Sequence, residues 1–164
     1  MSDTQAETVA PRAPDTLGPV LHPLLFPVGV LVVGLLLQHF VPFAGMPHAL
    51  TLPLGTLFLA LGAAFMIGGA RSFRRAGTSP NPTRPTTALV SDGLYRFTRN
   101  PMYVGISLVY TGLALLFHSA WALLLVVLVV GLLDVAVIRR EERFLEARFG
   151  AAYTDYKRRV RRWL

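Results

Sequence analysis

Apolar residues in this chain gather into four long runs, Leu21 to Val41, Leu50 to Ala70, Met102 to Phe117 and Trp121 to Ile138. Each approaches the roughly 20 residues that cross about 30 Å of hydrocarbon. Helix is the expected conformation, because four short runs cannot close a barrel and an open sheet edge in lipid leaves backbone groups unpaired. Only His118, Ser119 and Ala120 separate the third run from the fourth, which predicts a tight antiparallel hairpin. The pattern predicts an all-α fold, a polytopic membrane bundle of four transmembrane helices with spans at about 21–41, 50–70, 102–117 and 121–138.

The polar segments complete the expected organisation. Residues 1–20 are rich in Thr, Pro, Ala and acid, with Arg12 their sole base, a composition that cannot bury enough apolar surface to order itself. They lack the basic start and A-x-A cleavage pattern of a secretory signal, so the first run is expected to be retained in a membrane domain covering 21–164. After the fourth run, Leu145, Phe149, Ala152, Tyr153, Tyr156, Val160 and Trp163 recur at three- or four-residue spacing, which predicts a C-terminal amphipathic helix over 139–164 on the membrane surface. Gly150 is expected to break or bend it.

Charge gives orientation. The connections Pro42–Ala49 and His118–Ala120 carry no Lys or Arg, whereas 71–99 carries six and 139–162 carries nine. The bases therefore place both termini in the cytoplasm. A net charge of +7 could suggest nucleic acid, but with 53% hydrophobic residues and a mean hydropathy of +0.51 the bases flank apolar runs, and anionic lipid headgroups are the expected partner. Cysteine is absent, which removes thiolate chemistry. His22, His39, His48 and His118 form no H-x-x-x-H pair, so no metal site is expected.

Within the second run Ala60, Ala64 and Gly68 repeat at intervals of four, the small-residue pattern of close helix contact, and Gly105, Ser107, Thr111 and Gly112 offer the same on the third. Candidate chemistry lies elsewhere. The segment 71–100 is too long for a simple connector. Pro80, Pro82 and Pro85 stiffen it, and Ser91-Asp92-Gly93 is turn chemistry leading into Tyr95-Arg96-Phe97-Thr98-Arg99-Asn100-Pro101-Met102-Tyr103. Pro101 suits the first helical position, with Asn100 at the N-cap. Asp134 is a carboxylate inside an apolar run, which costs roughly 2.5 to 3.5 kcal/mol at a bilayer centre and calls for a partner. Either it snorkels to an arginine, or it joins Ile138, Glu141 and Leu145 on one helical face, leaving Glu142 rotated about 100° away. No G-x-G-x-x-G after a strand, P-loop or Ser-His-Asp constellation is present, which excludes soluble nucleotide folds.

Gly93-x-Tyr95, then Arg99-Asn100-Pro101-Met102-Tyr103-x-Gly105, then Glu141-Glu142-x-x-Leu145-x-x-x-Phe149-Gly150-x-x-Tyr153-x-x-Tyr156 together resemble the isoprenylcysteine carboxyl methyltransferase and phospholipid methyltransferase group over roughly Ala76 to Val160. The resemblance implies an S-adenosylmethionine-dependent enzyme acting on a lipophilic or membrane-embedded acceptor. It implies a cofactor pocket formed by Thr87, Ala88, Leu89, Val90, Tyr95, Asn100, Pro101, Met102, Tyr103 and Glu141, with Asn100 and Arg140 as the catalytic candidates. Many relatives have R-H-P where this chain has Arg99-Asn100-Pro101, and an amide cannot titrate near neutrality. Members of bacterial appearance also carry asparagine there, which implies that cofactor binding survives without a proton-abstracting group at this position; a bacterial inner membrane is the expected location. Membrane sterol and enone reductases share the architecture but bind NADPH, whose extra phosphates need a larger basic cavity; a non-enzymatic assembly or transport partner would bind neither cofactor.

Overall fold

The computed structural model describes residues 24–43, 46–79 and 86–164. The expected N-terminal tail, the first residues of the first span and the Pro80, Pro82 and Pro85 stretch lie outside the described residues. What is described is helical, as expected: α1 (Leu25–Phe40), α2 (His48–Arg75), α3 (Pro101–Leu116), α4 (Ala120–Phe149) and α5 (Ala151–Arg159). A short 3-10 turn, Gly93–Arg96, precedes α3.

Two of these helices, α2 and α4, are long and apolar enough to cross a membrane, and α1 and α3 are shorter apolar helices. Only 17% of the most apolar window of α2 is buried, and Leu52, Leu54, Leu57 and Leu61 stand exposed along it. The core helix of a soluble protein would hide such side chains; a helix facing hydrocarbon need not. On α4 the apolar stretch ends at Ile138, and the charged remainder beginning at Arg139 projects beyond it.

The tightest packing joins α2 and α3. A Cβ placed on Gly62 would come within 2.8 Å of the Gly105 carbonyl, and one on Gly112 within 2.8 Å of the Gly55 carbonyl, so the two backbones touch directly. The close-contact residues are Gly55, Gly62 and Gly69, spaced by seven, rather than the expected Ala60 and Ala64, which are exposed. Alanine at intervals of four marks a helix face, but the missing Cβ of glycine is what permits this approach. On α3, Gly105 and Gly112 meet α2, whereas Ser107 and Thr111 donate to carbonyls of their own helix.

The core is shared among all the apolar helices. Ile106 and Tyr110 of α3 pack against Val129, Leu133 and Val137 of α4, with Phe26, Val30 and Leu31 of α1 and Met66 of α2 around them. The Tyr110 hydroxyl donates to the Ala122 carbonyl at 2.9 Å, satisfying its polar end within the bundle. The expected hairpin between α3 and α4 is present. His118 adopts φ +51°, and the bonds Ser119 N to Ala114 O and His118 N to Leu115 O close α3 with the left-handed cap usually made by glycine. Ser119 Oγ accepts from Ala122 N to start α4 and donates to Gly34 O, tying the turn to α1.

Two departures shape the far end of the bundle. Between Leu133 and Ile138 helix α4 is π-helical, which widens one turn by about one residue. The C-terminal segment is not one helix over 139–164. Gly150, at φ +52° and ψ −123°, breaks it as expected, but α5 ends at Arg159 and the chain becomes extended at Val160. Residues beyond it then lie against the turn before α3.

Candidate functional site

Three expected site residues converge where α3, α4 and the 3-10 turn meet. The Tyr103 hydroxyl, on the first turn of α3, donates to Glu141 Oε1 at 2.6 Å. Tyr95 reaches the same place from the turn, which Ser72 of α2 holds by donating to the Asp92 carbonyl. Its ring meets Phe73 edge-on at 5.6 Å, and its carbonyl accepts from the Tyr156 hydroxyl at 2.8 Å. Burial, then the charge of Glu141, pushes the Tyr95 phenol well above its ordinary range, which keeps it a neutral hydrogen-bonding group. Glu141 is pushed up to about 7 by burial, with the Tyr103 hydrogen bond opposing the rise. Among the described residues no Lys or Arg lies within ion-pair distance of it. The result is a half-buried carboxylate beside two tyrosines, with no described Lys or Arg paired to it.

Glu142, expected to point away, is instead buried at 5% exposure in an ionic network. Arg162 donates to both its carboxylate oxygens, at 3.0 and 2.7 Å, and reaches Asp134 Oδ1 at 3.3 Å. Arg99 Nη1 stands 3.0 Å from Glu142 Oε1, with both side chains less than a tenth exposed. Asp134 thus takes arginine partners, Arg139 at 2.9 Å and Arg162, and shares a face with Glu142 rather than Glu141. The π-helical turn is the reason. One extra residue per turn moves the position facing Asp134 from seven residues ahead to eight. Glu141 is rotated toward α3 by the same shift, so both glutamates face inward on different sides.

Arg162 belongs to a C-terminal strap absent from the sequence expectation. Arg99 N donates to Arg161 O at 2.9 Å, Thr98 Oγ1 to Arg162 O at 3.1 Å, and Asn100 Nδ2 to Arg162 O at 3.0 Å. Asn100 occupies the N-cap position of α3, but its side chain does not cap the helix; its amide is committed to the strap. The buried Tyr153 phenol, pushed up to about 12 by burial and then by Glu142, completes this wall beside Arg99, which draws it back. A lone carboxylate in an apolar run and a doubled arginine near the end of the chain were the signals available for the pairing of Asp134 with Arg162.

The remaining candidates are dispersed. Pro101 is buried, and Met102 packs over Gly69, where an added Cβ would sit 2.7 Å from its Cγ. Thr87 N donates to Thr78 Oγ1 and Thr87 Oγ1 to Gly77 O, bringing this segment back to the end of α2. Val90 is buried; Ala88 and Leu89 are half-buried. Arg140 is exposed and makes no described contact with the Tyr95, Tyr103 and Glu141 trio.

A protein of Haemophilus influenzae described as uncharacterized is 36% identical over 63 residues, covering 38% of this chain and 100% of that protein. No solved structure matches. The phospholipid methyltransferase family model matches residues 50–152, a span that includes Tyr95, Asn100, Tyr103 and both glutamates but ends before the strap. As that match covers more than half of the chain, which runs through long apolar helices, the protein belongs to the phospholipid methyltransferase family.

Proposed function

We propose that this protein uses S-adenosylmethionine to methylate a lipophilic or membrane-embedded acceptor. The carrying observation is Glu141, a half-buried carboxylate whose pKa burial raises, held by Tyr103 and without an ion-pair partner among the described residues. A cationic ligand fits this place, because an opposite charge would offset the desolvation that raises its pKa. S-adenosylmethionine is such a ligand, carrying a sulfonium and an ammonium. Glu141 would pair with the ammonium or accept from a ribose hydroxyl, and the faces of Tyr95 and Tyr103 would favour positive charge by about 0.5 to 2 kcal/mol. Thr87 to Val90, Asn100, Pro101 and Met102 would form the rest of the enclosure.

When bound, the cofactor supplies a methyl group that an acceptor lone pair attacks in line while the carbon–sulfur electron pair returns to sulfur. The protein's part is to align the reactants and keep water out. Asn100 cannot take a proton from the acceptor, and its amide is engaged by Arg162 O, so its role is to hold the turn that carries Tyr103. Arg140 would face an anionic group on the acceptor. In this reading four helices span the membrane, both termini are cytoplasmic, and the acceptor enters sideways from lipid.

Calorimetry on the detergent-purified protein tests the assignment. S-adenosylmethionine and S-adenosylhomocysteine should bind and NADPH should not. Binding of NADPH alone would assign a reductase; binding of neither would assign a non-enzymatic role. Transfer of label from the methyl donor into a membrane extract then identifies the acceptor class.

A further inference from the structure

A second site is built on the opposite side of α4 from the Tyr103–Glu141 pair. Val135, Arg139, Glu142, Arg143 and Glu146 of α4, Lys157 of α5 and Arg162 of the strap line a cleft of about 420 Å³. We propose that this cleft binds the phosphate group of an anionic phospholipid.

Charge carries the first step. Asp134 is held by Arg139 and Arg162, Glu142 by Arg162 and Arg99, and Glu146 by Lys157 at 2.6 Å. Each of the three carboxylates already has a base, while five bases, Arg99, Arg139, Arg143, Lys157 and Arg162, surround them. Five against three leaves two positive charges, within the range a phosphate ester neutralises. Arg143 is exposed and makes no ion pair or hydrogen bond among the described residues. The planar forks of Arg139 and Arg143 match adjacent phosphate oxygens in a way a lone ammonium does not.

Position carries the second step and selects a lipid. The cleft opens where the apolar part of α4 gives way to Arg139, and its apolar wall is Val135, 61% exposed. Leu124, Leu128, Gly131 and Val135 are all exposed and follow at spacings of four, three and four before or just into the π-helical turn, which aligns them on one face. An acyl chain lying along that stripe brings its headgroup phosphate to Arg139 and Arg143. The site is separate from the proposed methyl-transfer site, since Glu142 faces the cleft and Glu141 faces Tyr103.

The test uses the full chain in nanodiscs, comparing phosphatidylglycerol with phosphatidylcholine by counting retained lipids in native mass spectrometry. Wild type should prefer the anionic lipid by about fivefold or more. Arg143→Gln should reduce the preference, and Arg139→Gln with Arg143→Gln should reduce it below about twofold. Arg71→Gln with Arg74→Gln, which removes the same charge from the exposed end of α2, should leave it intact. Retained binding of S-adenosylhomocysteine or, should the methyltransferase reading fail, an unchanged melting temperature shows that each variant is folded. Equal losses from the cleft and control pairs would reduce the effect to general surface charge and overturn the site. Inorganic phosphate at about 10 mM should compete poorly with the lipid, because it cannot occupy the apolar stripe. Full competition would assign free phosphate as the ligand and overturn the lipid.

Discussion

The Tyr103 hydroxyl donates to Glu141 Oε1 at 2.6 Å, while the adjacent carboxylate of Glu142 is held by Arg162 at 2.7 Å and Arg99 at 3.0 Å. Two neighbouring glutamates therefore have different tasks, and their amide variants should fail differently. Glu141→Gln should weaken S-adenosylmethionine binding at least tenfold, about 1.4 kcal/mol, without lowering the melting temperature of the ligand-free protein. Glu142→Gln leaves Arg99 without its counter-charge and Arg162 with Asp134 alone, and should destabilise the fold by roughly 3 kcal/mol. Calorimetry and thermal melts on both variants check this; weaker binding confined to Glu142→Gln would reverse the assignment.

The environment of Glu141 also dictates a pH response. Burial raises its folded-state pKa from 4.5 to about 7, so the ligand-free folded state holds this proton more tightly than the unfolded chain does. Its contribution to stability is fully present below about pH 4.5, is lost as pH rises toward about 7 and is constant above. A cation bound there requires the ionised form. Affinity for S-adenosylmethionine should therefore rise with pH across the same window and level off above about 7, with proton release on binding at pH 6. Calorimetry at pH 6 in buffers of different ionisation enthalpy measures that proton. Glu141→Gln should abolish it, and an unchanged release in that variant would place the titrating group elsewhere.

The α2–α3 contact makes a third expectation. A methyl group at Gly62 would lie 2.8 Å from a backbone carbonyl that has no side-chain freedom to retreat. Gly62→Ala should cost about 1 to 3 kcal/mol through overpacking, and the exposed Ala64→Leu should cost less than about 0.5 kcal/mol. Thermal melts in one detergent compare the two. A harmless Gly62→Ala would mean that the helices separate without loss.

These residues also show what the sequence made legible. Four apolar runs and a three-residue connection were enough to expect α1 to α4 and their hairpin, because burying backbone in an apolar medium leaves few alternatives. The Gly93 to Tyr103 and Glu141-Glu142 motifs indicated residues that do come together at Tyr95, Tyr103 and Glu141. Helical phase was another matter. Leu133 to Ile138 contains no proline or glycine to announce a π-helical turn, yet that turn alone exchanges which glutamate faces Asp134. The strap was equally hidden, since its bonds to Thr98, Arg99 and Asn100 use backbone carbonyls of Arg161 and Arg162, and a carbonyl carries no sequence signature.

The strap supplies the last prediction. Arg162 holds the site in two separable ways: its guanidinium bridges Asp134 and Glu142, and its carbonyl accepts from Thr98 and Asn100. Arg162→Gln removes the charge but keeps the carbonyl, so it should lower stability by roughly 1 to 3 kcal/mol while leaving cofactor affinity within about threefold. Ending the chain at Val160 removes both carbonyls and frees the turn that carries Tyr103. Cofactor affinity should then fall about tenfold or more, because the ligand must order a turn that the strap otherwise holds in place. Asn100→Ala removes one bond to the same carbonyl and should fall between them. Binding calorimetry with S-adenosylhomocysteine on all three, each checked by its melting temperature, decides the matter. Equal affinities for the truncated chain and wild type would show that the strap fastens the C-terminus without positioning the site, whereas a graded loss following the number of carbonyl contacts removed would show that it positions Asn100 and, through it, Tyr103.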